Sequence, residues 1–254
     1  MSQIAVMEKK NSHLVDQSAL LTRDMDAAAA SRLSALLAKN LRRVQVGADI
    51  VAEGEDAPTI LLVLEGWVAL NKSLQNGQIQ TIDLFLASDI ILPTSGDALV
   101  SAYDVHALTD VVVSSISRVE LDDLEISDPP KMWSAVRTHE ARARARVAER
   151  TLRLGQASAE TRLAYALIEL CLRLEGAQHI PKDAFDLPLT QQQIGEYSGL
   201  SSVHVCRTLR RLSRQGLIDT SENNRVVITD IQGLAGIADA ELDVLRSELL
   251  APDV

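Results

Sequence analysis

The chain has very little cysteine and no long apolar segment. Among its 254 residues only Cys171 and Cys206 carry thiols, so neither a disulfide framework nor a cysteine metal cluster can be built. No uncharged apolar run approaches the roughly 18–20 residues that span a bilayer, and the first residues lack the apolar core of a signal peptide. With a hydrophobic content of 46%, which is typical of globular proteins, these features predict a cytoplasmic protein.

Histidine is scarce where an enzyme built on a β-barrel would need it. Metal-dependent enzymes of that kind cluster histidines with a carboxylate, whereas residues 44–119 contain one histidine, His106. No nucleophile–base pair and no phosphate-binding loop is visible in the chain. The sequence therefore predicts a protein that is not an enzyme, with no catalytic residue and no metal site.

Only one part of the chain carries a net positive charge, although the net charge of the whole is −10. Residues 1–130 carry 9 basic and 19 acidic side chains, residues 131–229 carry 15 and 10, and residues 230–254 carry 1 and 6. Because the local field rather than the total charge decides binding to phosphate, residues 131–229 are the expected place of a nucleic-acid contact.

The cationic segment contains the pattern of two short helices joined by a tight turn, between Leu189 and Leu217. Thr190 can cap the first helix, and Gln193 can bond back to the cap. Gly199 suits the end of this helix, where a left-handed backbone favours glycine. Such a pair of helices is typical of a helix-turn-helix that inserts its second helix into a major groove of DNA.

The second helix is amphipathic, with Val205, Leu209 and Leu212 on one buried stripe. Residues 217–220 and 225–228 predict a hairpin after it, a wing that can reach backbone phosphates. The opposite side of the helix is polar and basic, and it comprises Ser202, Val203, Arg207, Arg210, Arg211 and Arg214.

Base and phosphate contacts can be assigned on this interpretation. Arg207 can bind guanine O6 and N7 together, Val203 can touch a thymine methyl group, and Ser202 completes the predicted base contacts. Cys206 beside Arg207 is either an oxidation switch, because positive charge favours the thiolate, or a small packed side chain. The predicted phosphate contacts are Thr190, Gln191, Ser201, His204, Arg210, Arg211 and Arg225.

Changes in residue pattern along the chain divide it into five segments. Short β-prone runs alternate with turns about every ten residues, and this pattern favours a small antiparallel barrel. It ends at a pair of prolines, and helical patterns follow. The predicted segments are an N-terminal extension (1–24), a β-roll (25–130), a long dimerisation helix (131–155), a winged helix-turn-helix (156–230) and an acidic C-terminal helix (231–254) that Asp230 could cap.

The long helix carries a narrow seam whose spacing of three and four residues favours pairing with a second copy. The alternative is a helix that packs on its own barrel. The predicted dimer contacts, two of them charged, are Trp133, Val136, Glu140, Ala143, Val147, Arg150 and Leu154.

The order of β-roll, long helix and winged helix-turn-helix resembles the CRP/FNR superfamily of bacterial transcription regulators, an α+β fold. Residues 189–218 are the most specific part, and residues 47–55 with 60–68 resemble the start of a cyclic-nucleotide-binding β-roll. The resemblance implies a homodimer, an effector sensed in the β-roll and contact with RNA polymerase. It also implies an inverted-repeat DNA site, with the two recognition helices about 34 Å apart.

Two departures from the family pattern affect function. Val100 stands where nucleotide-binding members have the arginine that takes the cyclic phosphate, and their glutamate is absent from residues 89–94. Because an unpaired phosphate in an apolar pocket is costly, we expect no response to cyclic AMP. Val203 replaces the glutamate of the recognition helix, so we expect the half-site to differ at the base pair that this glutamate would read.

The effector is left open by the sequence. An iron–sulfur cluster is not expected, since no cysteine precedes position 171. We expect no cofactor; the alternatives are a haem with His106 as axial ligand, or a small aromatic effector. A non-DNA protein-interaction module is the remaining alternative function.

Overall fold

The computed structural model describes residues 27–94, 99–117, 119–120, 123, 129–178, 184–220 and 225–249. The chain falls into two compact units, which we call the N-terminal unit (residues 1–72 and 84–141) and the C-terminal unit (residues 73–83 and 142–254). The predicted N-terminal extension, residues 1–24, lies outside the described residues. In the part of the chain that is described, no helix is long and apolar enough to cross a bilayer.

Short antiparallel strands preceded by one helix form the first half of the fold. Helix α1 covers Ala27–Lys39. The strands pair in the antiparallel sense and form two four-stranded sheets with the orders β1-β8-β3-β6 and β2-β7-β4-β5. Their bounds are β1 Leu41–Val44, β2 Asp49–Val51, β3 Ile60–Glu65, β4 Val68–Ser73, β5 Ile79–Phe85, β6 Ile90–Ile91, β7 Asp104–Ala107 and β8 Val111–Ile116.

Strand β3 is apolar without alternation because both of its faces are buried. Leu61 and Val63 point into one apolar cluster of the N-terminal unit. Ile60, Leu62 and Leu64 point into a second cluster, which helix α1 covers. The continuous apolar run in the sequence thus corresponds to a strand at the centre of this unit.

The long helix α2 covers Pro129–Gln156 and begins at a proline, which is favoured at the first helical position. Val136 on this helix is 2% exposed and packs in the cluster that contains Leu33 and Leu37 of α1. The predicted dimer contact of Val136 is therefore replaced by packing within its own chain, the alternative that the seam pattern had left open.

The C-terminal unit surrounds one central helix. Every residue of α3 from 163 to 174 is buried, including the charged side chains of Glu169 and Arg173. The elements that follow α2 are α3 Ala159–Gln178, β9 Ala184–Asp186, α4 Gln191–Ser198, α5 Ser202–Arg214, β10 Ile218–Asp219, β11 Arg225–Ile228, α6 Ile231–Ala238 and α7 Leu242–Leu249.

The predicted wing is present and has one strand more than expected. Strands β10 and β11 pair antiparallel, and β9 pairs with the other side of β11, so that Phe185 lies opposite Val226. No pattern in the sequence indicated the third strand, which is three residues long.

The chain after the wing forms two helices, which corrects the single acidic helix predicted over 231–254. Asp230 caps α6 as predicted, and its carboxylate accepts a hydrogen bond from the Gly233 amide. Asp239 then adopts a left-handed backbone (φ 50°) and ends this helix after eight residues. With this correction, the predicted α+β class of β-roll, long helix and winged helix-turn-helix is confirmed.

Candidate nucleic-acid interface

Helix α4 begins with a complete capping box, as the sequence predicts. The Thr190 hydroxyl accepts a hydrogen bond from the Gln193 amide (3.2 Å), and the Gln193 side-chain oxygen accepts one from the Thr190 amide (2.9 Å). Two amides that the helix start would leave without partners are satisfied in this way. The start of the helix-turn-helix is therefore fixed by local chemistry.

The turn after α4 depends on two glycines. Gly199 has a left-handed backbone (φ 67°), as predicted, and its amide donates to the Gly195 carbonyl. The Leu200 amide donates to the same carbonyl at 2.9 Å. Gly195 was not singled out from the sequence, yet a Cβ there would stand 2.3 Å from the Leu200 carbonyl oxygen. The only signal for it is a glycine inside a helical pattern, which commonly marks a close backbone approach.

Helix α5 is the recognition helix of this motif. Ser201 caps it, and the Ser201 hydroxyl accepts a hydrogen bond from the His204 amide (3.3 Å). Val205, Thr208 and Leu212 are buried. Leu209, which the sequence placed on the buried stripe, is only half-buried, whereas Thr208 beside it is buried.

The exposed side of α5 forms an open groove of about 410 Å³. This groove brings together all three predicted base contacts and two of the predicted phosphate contacts. Val203 is 63% exposed, which places an apolar surface among the arginines. Cys206 is half-buried and lines the same groove, so its side chain remains partly accessible to solvent. The residues that line the groove are Gln191, Ser202, Val203, Cys206, Arg207, Arg210 and Arg214.

The other predicted phosphate contacts do not line this groove and differ in their exposure and hydrogen bonding. The hydroxyls of Thr190 and Ser201 serve as helix caps, and His204 is exposed in the first turn of α5. Arg211 pairs with Glu160 of α3 at 2.6 Å. Arg225 is exposed at the start of β11, next to residues 221–224, which are outside the described residues.

Six buried polar side chains form a group that includes Tyr197 of α4, and we call them the ionic cluster. Asp83 accepts hydrogen bonds from Arg146 (2.7 Å) and Arg150 (2.9 Å). All six belong to the C-terminal unit, although they come from strand β5 and helices α2, α3 and α4. The members are Asp83, Arg146, Arg150, Glu169, Arg173 and Tyr197.

Glu169 is the second carboxylate of the ionic cluster. It accepts hydrogen bonds from Arg173 (3.1 Å) and from the Tyr197 hydroxyl (3.2 Å to each oxygen). The Arg150 guanidinium lies over the Tyr197 ring, 4.1 Å from its centre, which adds a cation–π contact. These contacts with Glu169 and Arg150 anchor α4, the first helix of the motif, through Tyr197.

The pKa values in the ionic cluster follow from burial and charge. Burial acts to raise the pKa of Asp83, but the positive charges of Arg146 and Arg150 outweigh it and lower the pKa to about 2. Burial also raises the pKa of Tyr197 well above its usual value. At neutral pH Asp83 is therefore ionised, and the Tyr197 hydroxyl keeps its proton as a donor to Glu169.

Arg150 takes part in this cluster within its own chain, although the seam pattern placed it at a dimer contact. Its side chain is buried, and it also donates to the Ile82 carbonyl. Leu154 lies against the turn, because a Cβ on Gly199 would come within 2.5 Å of it. Glu140, Ala143 and Val147 are half-buried, and the side chain of Trp133 is outside the described residues.

The sequence singles out two residues of the β-roll, His106 and Val100. His106 on β7 pairs with Asp49 on β2, with 2.7 Å between Nδ1 and Oδ1. Val100 is partly exposed and forms an isolated bridge with Asp56. It follows residues 95–98, which are outside the described residues.

A winged helix-turn-helix with an arginine-lined recognition helix, joined to an antiparallel roll, defines a class of DNA-binding transcription regulators. Residues 161–237 match the family described as the Crp-like helix-turn-helix domain, and residues 41–127 match the cyclic nucleotide-binding domain. The chain belongs to the CRP/FNR superfamily, as its resemblance predicted.

Named relatives agree with this assignment. The chain is 27% identical to a probable transcriptional activator of Rhizobium leguminosarum bv. viciae, over 76% of this chain and 79% of the relative. It is 28% identical to the nitrogen fixation regulation protein FixK of Bradyrhizobium diazoefficiens, over 86% of this chain and 91% of the relative. The solved structure of FixK2 from Bradyrhizobium japonicum is similar in fold, with a TM-score of 0.67 at 24% identity, over 79% of this chain and 98% of that structure.

Proposed function

We propose that this chain regulates transcription as a homodimer that binds an inverted-repeat DNA site and does not respond to cyclic AMP. The observation that carries the proposal is the groove on α5, where Ser202, Val203 and Arg207 lie side by side with two further arginines. The relatives that are named as transcriptional activators support RNA polymerase as a further partner.

The residues that line the groove suit two kinds of contact, with base edges and with backbone phosphates. Arg207 lies in the middle of the exposed side of α5, where a guanidinium can bind O6 and N7 of one guanine. Val203, one turn earlier, offers methyl groups but no hydrogen bond, which suits a thymine methyl and not a cytosine amine. Arg210 and Gln191, which also line the groove, suit backbone phosphates, which fix the register without reading sequence.

The pairing face of the proposed dimer lies on the exposed side of α2. Ala141, Ala148 and Leu152 are exposed and follow one another at spacings of seven and four residues, so they share a stripe. Leu152 is 57% exposed and has the largest side chain of the three. This stripe replaces the part of the predicted seam that runs through Val136 and Arg150.

The departure at Val100 supports independence from cyclic AMP. Its isopropyl group offers no hydrogen-bond donor to a cyclic phosphate, and a phosphate that enters an apolar environment without a donor pays a large desolvation cost. Regulation through some other ligand of the β-roll is compatible with this proposal.

Selection of bound sequences from a random DNA pool tests the proposal. We expect an inverted repeat whose half-site centres lie one helical turn apart, and affinity that falls steeply with salt concentration. Arg207→Ala should relax selection at one base pair per half-site, with a loss of about 1–3 kcal/mol of discrimination.

Arg246→Ala is the matched control for this experiment, since Arg246 is an arginine of the same unit on α7. It should leave both the selected sequence and the salt dependence unchanged. Recovery of no enriched sequence by the wild-type protein, or unaltered selection by Arg207→Ala, would contradict the proposal.

Leu152→Arg tests the pairing face on α2. Two added charges facing each other across the proposed stripe should separate the dimer in sedimentation experiments. The affinity for a full inverted repeat should fall about 100-fold or more, because the second half-site no longer gains from the first. Binding to a single half-site should be unaffected.

Val244→Arg is the control, because Val244 is also an exposed apolar residue but lies on α7. It should remain dimeric. A Leu152→Arg protein that sediments as a dimer would show that the pairing face is elsewhere.

A further inference from the structure

We infer that Gln80 and Asp83 of strand β5 are positioning residues for DNA recognition: they hold helix α4, and through it recognition helix α5, in the orientation that reads a specific site. The inference rests on the DNA-binding function of the family and goes beyond it. It assigns a role in sequence discrimination to two side chains that do not line the groove.

The first link is a direct hydrogen bond from β5 to α4. The side-chain amide of Gln80 donates to the Glu196 carbonyl at 2.5 Å. Glu196 lies in the last turn of α4, where helix carbonyls lack partners within the helix. Gln80 thus completes the hydrogen bonding of α4 at the end that leads into the turn.

The second link runs through the ionic cluster. Asp83 holds the Arg150 guanidinium at 2.9 Å, and that guanidinium lies on the ring of Tyr197. Tyr197 is one residue before the end of α4. Asp83 thereby acts on α4 through Arg150.

Arg150 has a second carboxylate within reach, which makes its position sensitive to Asp83. Its Nη2 atom is 3.7 Å from Glu169 and 2.9 Å from Asp83. Without the charge of Asp83, the attraction to Glu169 is unopposed on that side. We therefore expect Arg150 to turn toward Glu169 and to leave its place over Tyr197.

The turn passes the orientation of α4 on to α5. Gly195 accepts hydrogen bonds from both Gly199 and Leu200, and no space for a Cβ remains between Gly195 and the Leu200 carbonyl. Two helices joined so closely move as one body. A small rotation of α4 is therefore a displacement of Arg207 relative to a base edge.

The test compares the affinity of the full chain for its selected site with its affinity for an unrelated duplex of equal length. Asp83→Asn should weaken binding to the selected site about tenfold, while binding to the unrelated duplex changes by less than about twofold because the arginines remain exposed. Asp83→Glu should restore part of the discrimination, and Gln80→Ala should have a smaller effect in the same direction.

Glu53→Gln is the matched control, because Glu53 forms a surface ion pair with Lys72. It should change neither affinity. A purely structural role for Asp83 would lower the unfolding temperature and leave the ratio of the two affinities intact, and that result would overturn the inference. If Asp83→Asn does not fold, Gln80→Ala and Tyr197→Leu, which removes the ring under Arg150, decide in its place, and an unchanged ratio in both also overturns the inference.

Amide hydrogen exchange separates this inference from the DNA-binding function itself, since it needs no DNA. Asp83→Asn should speed exchange at the amides of Tyr197, Ser198 and Gly199, and Glu53→Gln should not. Unchanged exchange at these amides in Asp83→Asn would overturn the positioning role, even for a protein that selects no sequence.

Discussion

Glu169→Gln is expected to lower the free energy of unfolding of the C-terminal unit by about 3–5 kcal/mol, the usual cost of breaking a buried ion pair from one side. Glu169 is 0% exposed and lies 3.1 Å from Arg173 and 3.7 Å from Arg150. Glutamine keeps the shape but removes the charge, which leaves the arginines with Asp83 as the remaining carboxylate of the ionic cluster. Urea unfolding followed by circular dichroism measures the loss.

Glu160→Gln on the same helix provides the comparison. Glu160 also pairs with an arginine, Arg211, at the short distance of 2.6 Å, but the two side chains are 21% and 68% exposed. An ion pair in contact with water contributes about 1 kcal/mol or less. Equal losses in the two glutamine variants would contradict the view that burial, and not distance, sets the contribution of these pairs.

Gly195→Ala is expected to disrupt the helix-turn-helix, although alanine is the better helix former. The new Cβ would stand 2.3 Å from the Leu200 carbonyl oxygen, which is a backbone atom and cannot turn away. Overpacking of this kind costs about 1–3 kcal/mol and occasionally more. Because the carbonyl of Gly195 also binds the amides of Gly199 and Leu200, we expect loss of sequence-specific DNA binding together with a lower unfolding temperature.

Gly236→Ala serves as its control and should change stability in the opposite direction. Gly236 is also a helical glycine of the C-terminal unit, in α6, but a Cβ there would meet nothing within 4 Å. Alanine is favoured over glycine inside a helix by up to about 1 kcal/mol, so this variant should unfold at a slightly higher temperature. If the Gly195→Ala protein binds its site normally, the close approach of Gly195 to Leu200 is not required for DNA binding.

The helix-turn-helix could be predicted because its determinants are local. Thr190 and Gln193 are three residues apart, and Gly199 follows directly on the helix that it ends. Each signal acts on the backbone within one turn of helix, so it can be read without knowledge of the rest of the chain. The buried side of α5 follows from spacing in the same way, except that Thr208 takes the place expected for Leu209.

The ionic cluster could not be predicted, because it joins residues that are distant in sequence. Asp83 and Tyr197 are separated by more than one hundred positions and meet through Arg150. A charged residue at a heptad position indicates a dimer seam or an exposed face, and Arg150 is neither of these. Val136 illustrates the same limit, since an apolar residue at regular spacing does not reveal whether its own chain or a second copy covers it.

The three-stranded sheet of the wing limits unwanted association between molecules. Strand β11 lies in the middle, with β9 on one side and β10 on the other, so its backbone is covered on both sides. The strands left at the rims are three and two residues long, too short to serve as templates for a strand from another molecule. The described strands of the wing therefore offer only short edges to a neighbouring molecule, which limits strand-to-strand association.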